Sequence, residues 1–204
     1  NPRITIIGMG YVGLPLAIEF KKHFSVVGFD LDKTRISELK KGKDSNSQFL
    51  KKELNSKKLI FTNNEAFIQN TDIFIVTVPT PLKKNNEPDL NPLIKATRMI
   101  GNCLKEDSIV VYESTVYPGC TEEICLPILS KISKLTINKN FFLGYSPERI
   151  NVGDKKHSLK DIIKVVSGSN LETANFLSKV YKKIIKAGVY KAPNIKVAEA
   201  AKVI

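Results

Sequence analysis

Three glycines stand at the spacing of a phosphate-binding turn in the segment GMGYVG. Gly8 allows a tight turn, Gly10 lets a pyrophosphate approach the backbone, and Gly13 lets a helix pack closely against a strand. The unpaired N–H groups at the start of the following helix attract phosphate oxygens. The segment therefore predicts a dinucleotide-binding turn.

A carboxylate, Asp30, ends the next apolar run, VVGFD, at roughly the spacing that such a turn requires. A carboxylate there accepts hydrogen bonds from the adenosine ribose hydroxyls and repels a 2′-phosphate, so the cofactor is predicted to be NAD rather than NADP. Arg35 favours the opposite choice, because a nearby Arg can accommodate the extra phosphate. Asp30 also fits the N-cap of the next helix, and the two roles are compatible.

Two further segments, VPTP and ESTVYPG, each end an apolar run of strand length. Thr80 and Thr115 in these segments offer hydroxyl groups at the edge where parallel strands end and ligands bind. Ordinary turn chemistry explains the same residues equally well. The long polar connection PTPLKKNNEPDLNP directly follows a strand, and we interpret it as a loop of the site rather than as a domain linker.

Apolar runs alternate with amphipathic stretches along the whole chain. The predicted strands are RITIIG, SVVGFD, KLIFT, DIFIVTV, SIVVYES, FFLGYS, IIKVVSG and AGVYKA. The predicted helices cover residues 11–24, 32–41, 46–56, 64–69, 91–104, 120–134 and 171–186, and KVAEAAKVI at the end is a helix without a stop signal. This alternation predicts an α/β fold, Rossmann-like and doubly wound, with a mostly parallel sheet and helices on both faces.

The charge is strongly positive, with 32 Lys and Arg against 20 Asp and Glu, which gives +12 over 204 residues. Only four of these cations are Arg, the side chain that base and phosphate recognition favours. We interpret the excess as a solubilising lysine surface rather than as a nucleic-acid interface. Apolar runs fall short of the ~20 residues of a membrane span, and the first residues lack a signal-peptide pattern. No membrane partner and a cytoplasmic location are expected.

Three cysteines, Cys103, Cys120 and Cys125, are too few and wrongly spaced for a disulfide framework or a zinc site. We expect free thiols and no metal.

Six segments occur in the order GMGYVGLPLA, VVGFD, VPTP, ESTVYPG, YSPERINVGD and AEAAK. Together they resemble the UDP-glucose/GDP-mannose dehydrogenase family over essentially the whole chain. The segment YSPERINVGDKKH is similar to the branch that acts on UDP-N-acetylhexosamines, since the UDP-glucose enzymes typically read PEFLREG there. The resemblance implies an NAD-dependent enzyme of surface polysaccharide biosynthesis with a UDP-sugar as substrate.

The family's reaction is a four-electron oxidation of the sugar C6 alcohol to a carboxylate, through an aldehyde and a cysteine thioester. By motif position, the resemblance implies that Glu148 assists thioester hydrolysis and that Thr115 binds the cofactor and the catalytic water. It implies that Lys202 stabilises the oxyanions. From the residues alone, Glu148 and Arg149 also fit an exposed loop ion pair of little energetic weight, and Lys202 fits a solvated helix lysine.

The resemblance further implies a set of ligand contacts. The cofactor contacts are Gly8, Gly10, Tyr11, Val12, Gly13, Asp30, Arg35, Thr80 and Thr115. The contacts along the sugar nucleotide are Arg149, Ile150 and Asn151.

Some parts of the family pattern have no counterpart in these residues. The nucleophilic cysteine of the family falls downstream of residue 204, and the three cysteines of this chain lie outside any matching motif. A second carboxylate of the UDP-glucose branch is replaced by Val152. Residues 1–191 are therefore expected to form an NAD-binding domain and residues 192–204 the start of a connecting helix, without the UDP-binding parts. Such a chain is expected to bind NAD without turnover, and the full-length protein is expected to be a homodimer.

Three alternatives remain open at this point. Two are enzymes, a UDP-glucose 6-dehydrogenase and a β-hydroxyacid-type dehydrogenase. The third is a noncatalytic NAD-sensing module, which has no need for Glu148, Thr115 and Lys202 to converge beside the cofactor.

Overall fold

The computed structural model describes residues 1–148 and 159–203, without the side chain of Val203. All eight predicted strands are present in these residues, and they form one sheet with the order β3-β2-β1-β4-β5-β6-β7-β8. The strands are β1 (Arg3–Ile7), β2 (Ser25–Phe29), β3 (Leu59–Thr62), β4 (Ile73–Val76), β5 (Ser108–Tyr112), β6 (Phe141–Tyr145), β7 (Lys164–Gly168) and β8 (Val189–Lys191).

The first six strands are parallel, and the register places Ile4 beside both Val26 and Ile73. β7 is antiparallel to β6, and β8 is parallel to β7. The prediction of a mostly parallel, doubly wound sheet is confirmed. The strand order reverses between β1 and β4, and a crevice opens at the carboxyl ends of strands on either side of such a reversal.

The described helices lie on both faces of the sheet. They are α1 (Gly13–Phe20), α2 (Lys33–Lys40), α3 (Lys51–Leu54), α4 (Asn91–Cys103), α5 (Leu126–Ser133), α6 (Leu171–Lys182) and α7 (Ile195–Val203). No helix in this part of the chain is long and apolar enough to cross a membrane.

Three predicted helices differ from those observed. The predicted helix 46–56 is reduced to α3, because the Asp44 carboxylate accepts the N–H groups of Asn46, Gln48 and Phe49 and bends the preceding backbone into a loop. The predicted helix 64–69 is a 3₁₀ turn, Glu65–Ile68. The predicted helix 120–134 begins with a π-helical turn, Thr121–Cys125, before α5.

Two apolar layers enclose the sheet. On one face Ile4 and Ile6 of β1 pack with α1, α2 and α6, and the Phe20 and Tyr181 rings meet edge to face at 5.5 Å. On the other face the apolar side chains of α4, α5 and α7 cover alternate residues of the same strands. Each large apolar side chain buried in this way contributes roughly 1.5 to 3 kcal/mol. The sheet is thus a rigid platform, and its carboxyl edge carries the candidate site.

Candidate functional site

The glycine-rich turn follows β1 and leads into α1. Gly8 has φ +100°, a left-handed conformation that glycine adopts without strain. A Cβ on Gly13 would lie 1.8 Å from the Gly8 carbonyl oxygen, so only glycine lets α1 pack this close to the turn. The Thr77 hydroxyl, just beyond β4, lies 2.9 Å from the same oxygen and ties the turn to the neighbouring strand.

The outer side of this turn is open. A Cβ built on Gly10 meets no atom within 4 Å, so a ligand can approach the backbone directly. Tyr11 is about half exposed, and Val12 beside it is partly buried at the N-cap of α1. An open backbone at a helix N-terminus suits a pyrophosphate, so these residues fit the predicted dinucleotide.

Asp30 lies at the end of β2, facing the turn. Its Oδ2 accepts the Met9 N–H at 2.7 Å, and its Oδ1 accepts the Asp32 N–H at 2.9 Å. Each carboxylate oxygen can accept a second hydrogen bond, so Asp30 keeps capacity for ribose hydroxyls. The cap of α2 is Asp32, whose side chain accepts the N–H groups of Thr34 and Arg35, and not Asp30.

Arg35 braces the glycine-rich turn from behind. Its Nε donates to the Met9 carbonyl at 2.9 Å, and its Nη1 lies 2.8 Å from the buried Asp44 carboxylate and 3.0 Å from the Ser45 hydroxyl. Its buried Nη2 has no hydrogen-bond partner among the described residues. Because three contacts hold the guanidinium inward, Arg35 is poorly placed to receive a 2′-phosphate, which supports the choice of NAD.

A cleft of about 880 Å³ adjoins the turn. Its lining includes Gly8, Asp30, Leu31, Pro79 and Met99. This volume lies within the usual range for small-molecule sites, about 300–1,000 Å³. The position between the glycine-rich turn and the end of β2 suits an adenosine group.

Thr80 and Thr115 meet at the same edge of the sheet. The Thr80 hydroxyl donates to the Thr115 carbonyl at 2.7 Å, and the adjacent Ser114 hydroxyl donates to the Val78 carbonyl at 2.6 Å. The Thr115 side chain itself is exposed. These bonds join the loops after β4 and β5, and they leave the Thr115 side chain facing solvent where a ligand can reach it.

A group of buried ionisable residues lies beside these loops, and we call Glu113, Glu148, Lys164 and Tyr181 the buried charge cluster. Lys164 Nζ lies 2.6 Å from Glu113 Oε2 and 2.9 Å from Glu148 Oε2. The Tyr181 hydroxyl donates to the other oxygen of Glu113. All four residues are more than nine-tenths buried. The antiparallel direction of β7 brings Lys164, its first residue, to the edge where β5 and β6 end.

The pKa values of the cluster reflect burial and mutual charge. Burial raises the pKa of Glu113 and the repulsion of Glu148 adds to the rise, although Lys164 opposes it. Burial lowers the pKa of Lys164, but the two carboxylates outweigh this and hold it above its usual value. Burial, followed by the charge of Glu113, raises the pKa of Tyr181 well above its usual value. Lys164 therefore stays protonated at neutral pH.

Lys202 approaches Glu148 from α7. Its Nζ donates to the Glu148 carbonyl oxygen at 2.6 Å, and its side chain is partly buried. Glu199, fully buried on the same helix, accepts the N–H groups of Gly119 and Thr121 at 2.5 and 2.9 Å. The Glu199 carboxylate thereby attaches α7 to the turn that follows Thr115. Lys202 is held at the carboxyl edge of the sheet and is not a solvated helix lysine.

The sequence patterns missed Thr77, Glu113, Lys164, Tyr181 and Glu199. Glu113 lies in the segment ESTVYPG and Glu199 in the segment AEAAK, but neither was assigned a role. The signal that could have identified Lys164 is its position as a lone cation in the apolar run IIKVVSG.

The predicted sugar-nucleotide contacts Arg149, Ile150 and Asn151 lie outside the described residues, as does Val152. All three cysteines are free and buried. Within residues 1–148 and 159–203 no cluster of side chains is suited to a metal ion.

A sequence model of the UDP-glucose/GDP-mannose dehydrogenase family, NAD binding domain, matches residues 2–185. The chain belongs to this family. NAD is accordingly its cofactor, and the open turn at Gly10, the Asp30 carboxylate and the adjoining cleft are suited to it.

Curated relatives narrow the comparison within the family. A UDP-N-acetyl-D-glucosamine 6-dehydrogenase of Salmonella typhi is 55% identical over 203 residues, which are 99% of this chain and 48% of that protein. Protein CapL of Staphylococcus aureus is 50% identical over 204 residues, 100% of this chain and 48% of that protein. The chain thus spans about half the length of these relatives.

A solved structure agrees with the fold. The crystal structure of an NDP-N-acetyl-D-galactosaminuronic acid dehydrogenase from Methanosarcina mazei superposes with a TM-score of 0.90 at 28% identity. The match covers 98% of this chain and 46% of that one.

Proposed function

We propose that the complete gene product oxidises the C6 alcohol of a UDP-N-acetylhexosamine to the carboxylate, with NAD as the oxidant and two hydride transfers per sugar. The observation that carries the proposal is the meeting of Glu148 and Lys202 at one edge of the sheet, where Lys202 Nζ lies 2.6 Å from the Glu148 carbonyl. The 55% identity to a UDP-N-acetyl-D-glucosamine 6-dehydrogenase supports the substrate class.

Each group of site residues in this chain has its own proposed role in the reaction. Gly8 to Gly13 and Asp30 hold the dinucleotide, which when bound supplies the hydride acceptor, and Arg35 braces the glycine-rich turn from behind. The Lys202 ammonium stabilises oxyanions that form at the sugar C6. The Glu148 carboxylate takes a proton from the water that hydrolyses the thioester, and the exposed Thr115 hydroxyl orients that water. Arg149, Ile150 and Asn151 are proposed to line the sugar nucleotide.

The organisation of the whole protein is part of the proposal. Residues 1–191 form the NAD-binding domain, and residues 192–204 begin the helix that leads to the UDP-binding half. The 48% coverage of the relatives supports this division. The nucleophilic cysteine belongs to that other half, because the three cysteines of this chain are buried. A homodimer and a cytoplasmic location remain predictions for the complete gene product.

An NAD-sensing module is the main alternative. Such a module has no use for an ammonium and a carboxylate beside the nicotinamide end of the site. The hydrogen bond from Lys202 to the Glu148 carbonyl and the burial of Glu199 under α7 favour the enzyme.

The test is an assay of the complete gene product with NAD and a panel of UDP-sugars, in which NADH is counted per sugar consumed. We expect two NADH per UDP-N-acetylhexosamine. Glu148→Gln should lower kcat by about 10²- to 10⁴-fold, the usual contribution of a general base. Lys202→Ala should lower it by about 10²- to 10³-fold, the usual cost of losing an oxyanion contact.

The matched control is Lys196→Ala, because Lys196 lies on the same helix but is exposed and forms an ion pair with the exposed Glu123. It should retain full activity. One NADH per sugar would reject the thioester route, and preference for UDP-glucose would reject the proposed branch.

A further inference from the structure

The buried charge cluster contains two carboxylates and one ammonium, all removed from water. Glu113 comes from the end of β5, Glu148 from the loop after β6, Lys164 from the start of β7 and Tyr181 from α6. Four separate elements therefore converge on one lysine and its partners. The proposed chemistry uses Glu148 alone, which leaves the other three without an assigned role.

The carboxylates constrain each other through Lys164. Two buried carboxylates repel, and an ammonium between them offsets that repulsion. Lys164 reaches one oxygen of each, and the Tyr181 hydroxyl occupies the remaining oxygen of Glu113. Glu113 thus holds Lys164 at a fixed place, 2.9 Å from the Glu148 carboxylate.

We propose that Lys164, anchored by Glu113, is a positioning residue that fixes the Glu148 carboxylate and holds it ionised for its reaction with water. This inference rests on the proposed function, in which Glu148 is the base. Lys164 touches neither substrate nor cofactor in this scheme, and it acts through Glu148.

Among the described residues, groups from several elements face Glu148. Lys164 of β7 is the cation at its carboxylate, and Glu113 beyond Lys164 is the opposing charge. Tyr181 of α6 is neutral, with its pKa well above the usual value, and it contacts Glu113. Lys202 of α7 contacts the Glu148 backbone carbonyl. Of these groups, Lys164 and Glu113 have opposite effects on the charge of Glu148.

Because these effects are opposite, removing Lys164 and removing the charge of Glu113 should shift the pH profile of kcat in opposite directions. In Lys164→Met, Glu148 loses its cation, so the acidic limb of the kcat profile should move up by about 1 to 3 pH units, the usual effect of an opposite charge. In Glu113→Gln, the repulsion between the two carboxylates disappears and Lys164 pairs with Glu148 alone. The acidic limb of the kcat profile should therefore move down by about one pH unit. Lys164→Arg keeps the charge and should restore the limb. Lys191→Met, an exposed lysine on β8, is the control.

The measurement is NADH formation by the complete gene product between pH 4.5 and 9, with mass spectrometry of acid-quenched enzyme to detect the protein-bound thioester. Lys164→Met should accumulate thioester at low pH and recover at high pH. If its limb stays in place while kcat falls equally at every pH, Lys164 is merely structural and the inference is overturned.

If Lys164→Met does not fold, Glu113→Gln still tests the inference, because the Gln side chain has nearly the same shape as the Glu side chain that it replaces. A limb that stays or moves up in Glu113→Gln contradicts the inference. If the wild-type protein forms no NADH with any UDP-sugar, the proposed function fails first and this inference fails with it. If the wild-type protein is active and the limbs do not move, this inference fails alone.

Discussion

The glycine-rich turn region and the buried charge cluster lie along the same edge of the sheet but are built differently. The turn region draws mainly on residues 8–35, with one further hydrogen bond from Thr77, and is held by backbone geometry and hydrogen bonds to backbone groups. The cluster joins side chains from four separate elements and is held by ion pairs buried away from water. Local chain geometry can therefore form most of a cofactor turn, whereas every member of this cluster needs charged or polar partners that only the finished fold supplies.

The two regions should also respond differently to substitution. A buried charge left without its partner loses solvation and attraction together, so its loss is costly. A turn braced by several hydrogen bonds loses only one contact when one polar group is changed. The following predictions test this contrast, and the largest expected effect comes first.

Lys164→Met should lower the free energy of unfolding of the chain by about 3 to 5 kcal/mol at pH 8, because it leaves two buried carboxylates without their cation. Lys191→Met should change it by less than about 0.5 kcal/mol, as is usual for an exposed side chain. Denaturant unfolding measures both. Equal losses in the two variants would show that the cluster is no more costly to disrupt than the surface.

The same variant should lose less stability at pH 5 than at pH 8. Burial raises the pKa of Glu113, so its contribution to stability is present below its unfolded-state pKa and is lost as pH rises through its folded-state pKa. Removing Lys164 raises that folded-state value further. Lys164 itself titrates above its usual pKa, so its own contribution is constant between these two pH values. A loss independent of pH would contradict this electrostatic account.

Gly13→Ala should cost about 1 to 3 kcal/mol of stability, since its Cβ would collide with the Gly8 carbonyl and push α1 away from the turn. NAD binding, measured by calorimetry, should weaken at the same time. Gly10→Ala is the matched comparison, because its Cβ meets no atom within 4 Å. It should leave unfolding nearly unchanged and still weaken NAD binding. Similar free energies of unfolding in the two variants would contradict the packing role of Gly13.

Asp30→Asn should have the smallest effect, a loss of about tenfold in NAD affinity, close to the lower end of the range for a hydrogen bond to a charged group. The preference for NAD over NADP should narrow, because the carboxylate that repels a 2′-phosphate is gone. Asp32→Asn is the control, since Asn caps a helix as well as Asp does. Unchanged discrimination in Asp30→Asn would remove Asp30 from cofactor selection.

Much of the turn region could be predicted from the sequence, because its determinants are close together in the chain. The spacing of Gly8, Gly10 and Gly13 after an apolar run reports the turn directly, and Asp30 ends the next strand. Thr77 escaped notice because its contact with the Gly8 carbonyl depends on the pairing of β1 with β4. The bracing role of Arg35 was missed because its partner Asp44 lies between the predicted helices 32–41 and 46–56, where no local pattern marks the contact.

The candidate roles of Glu148 and Lys202 came from the resemblance to the family and not from local patterns. The amino-acid sequence by itself determined the order of strands and helices along the chain, the doubly wound class and the cofactor turn. These follow from hydrophobic periodicity and motif spacing, which are local properties of the chain. Only the tertiary structure decided that β7 turns antiparallel and brings Lys164 between Glu113 and Glu148, and that Glu199 seats the helix of Lys202. The physical reason is that buried charges are stabilised by distant partners, which only the finished fold brings together.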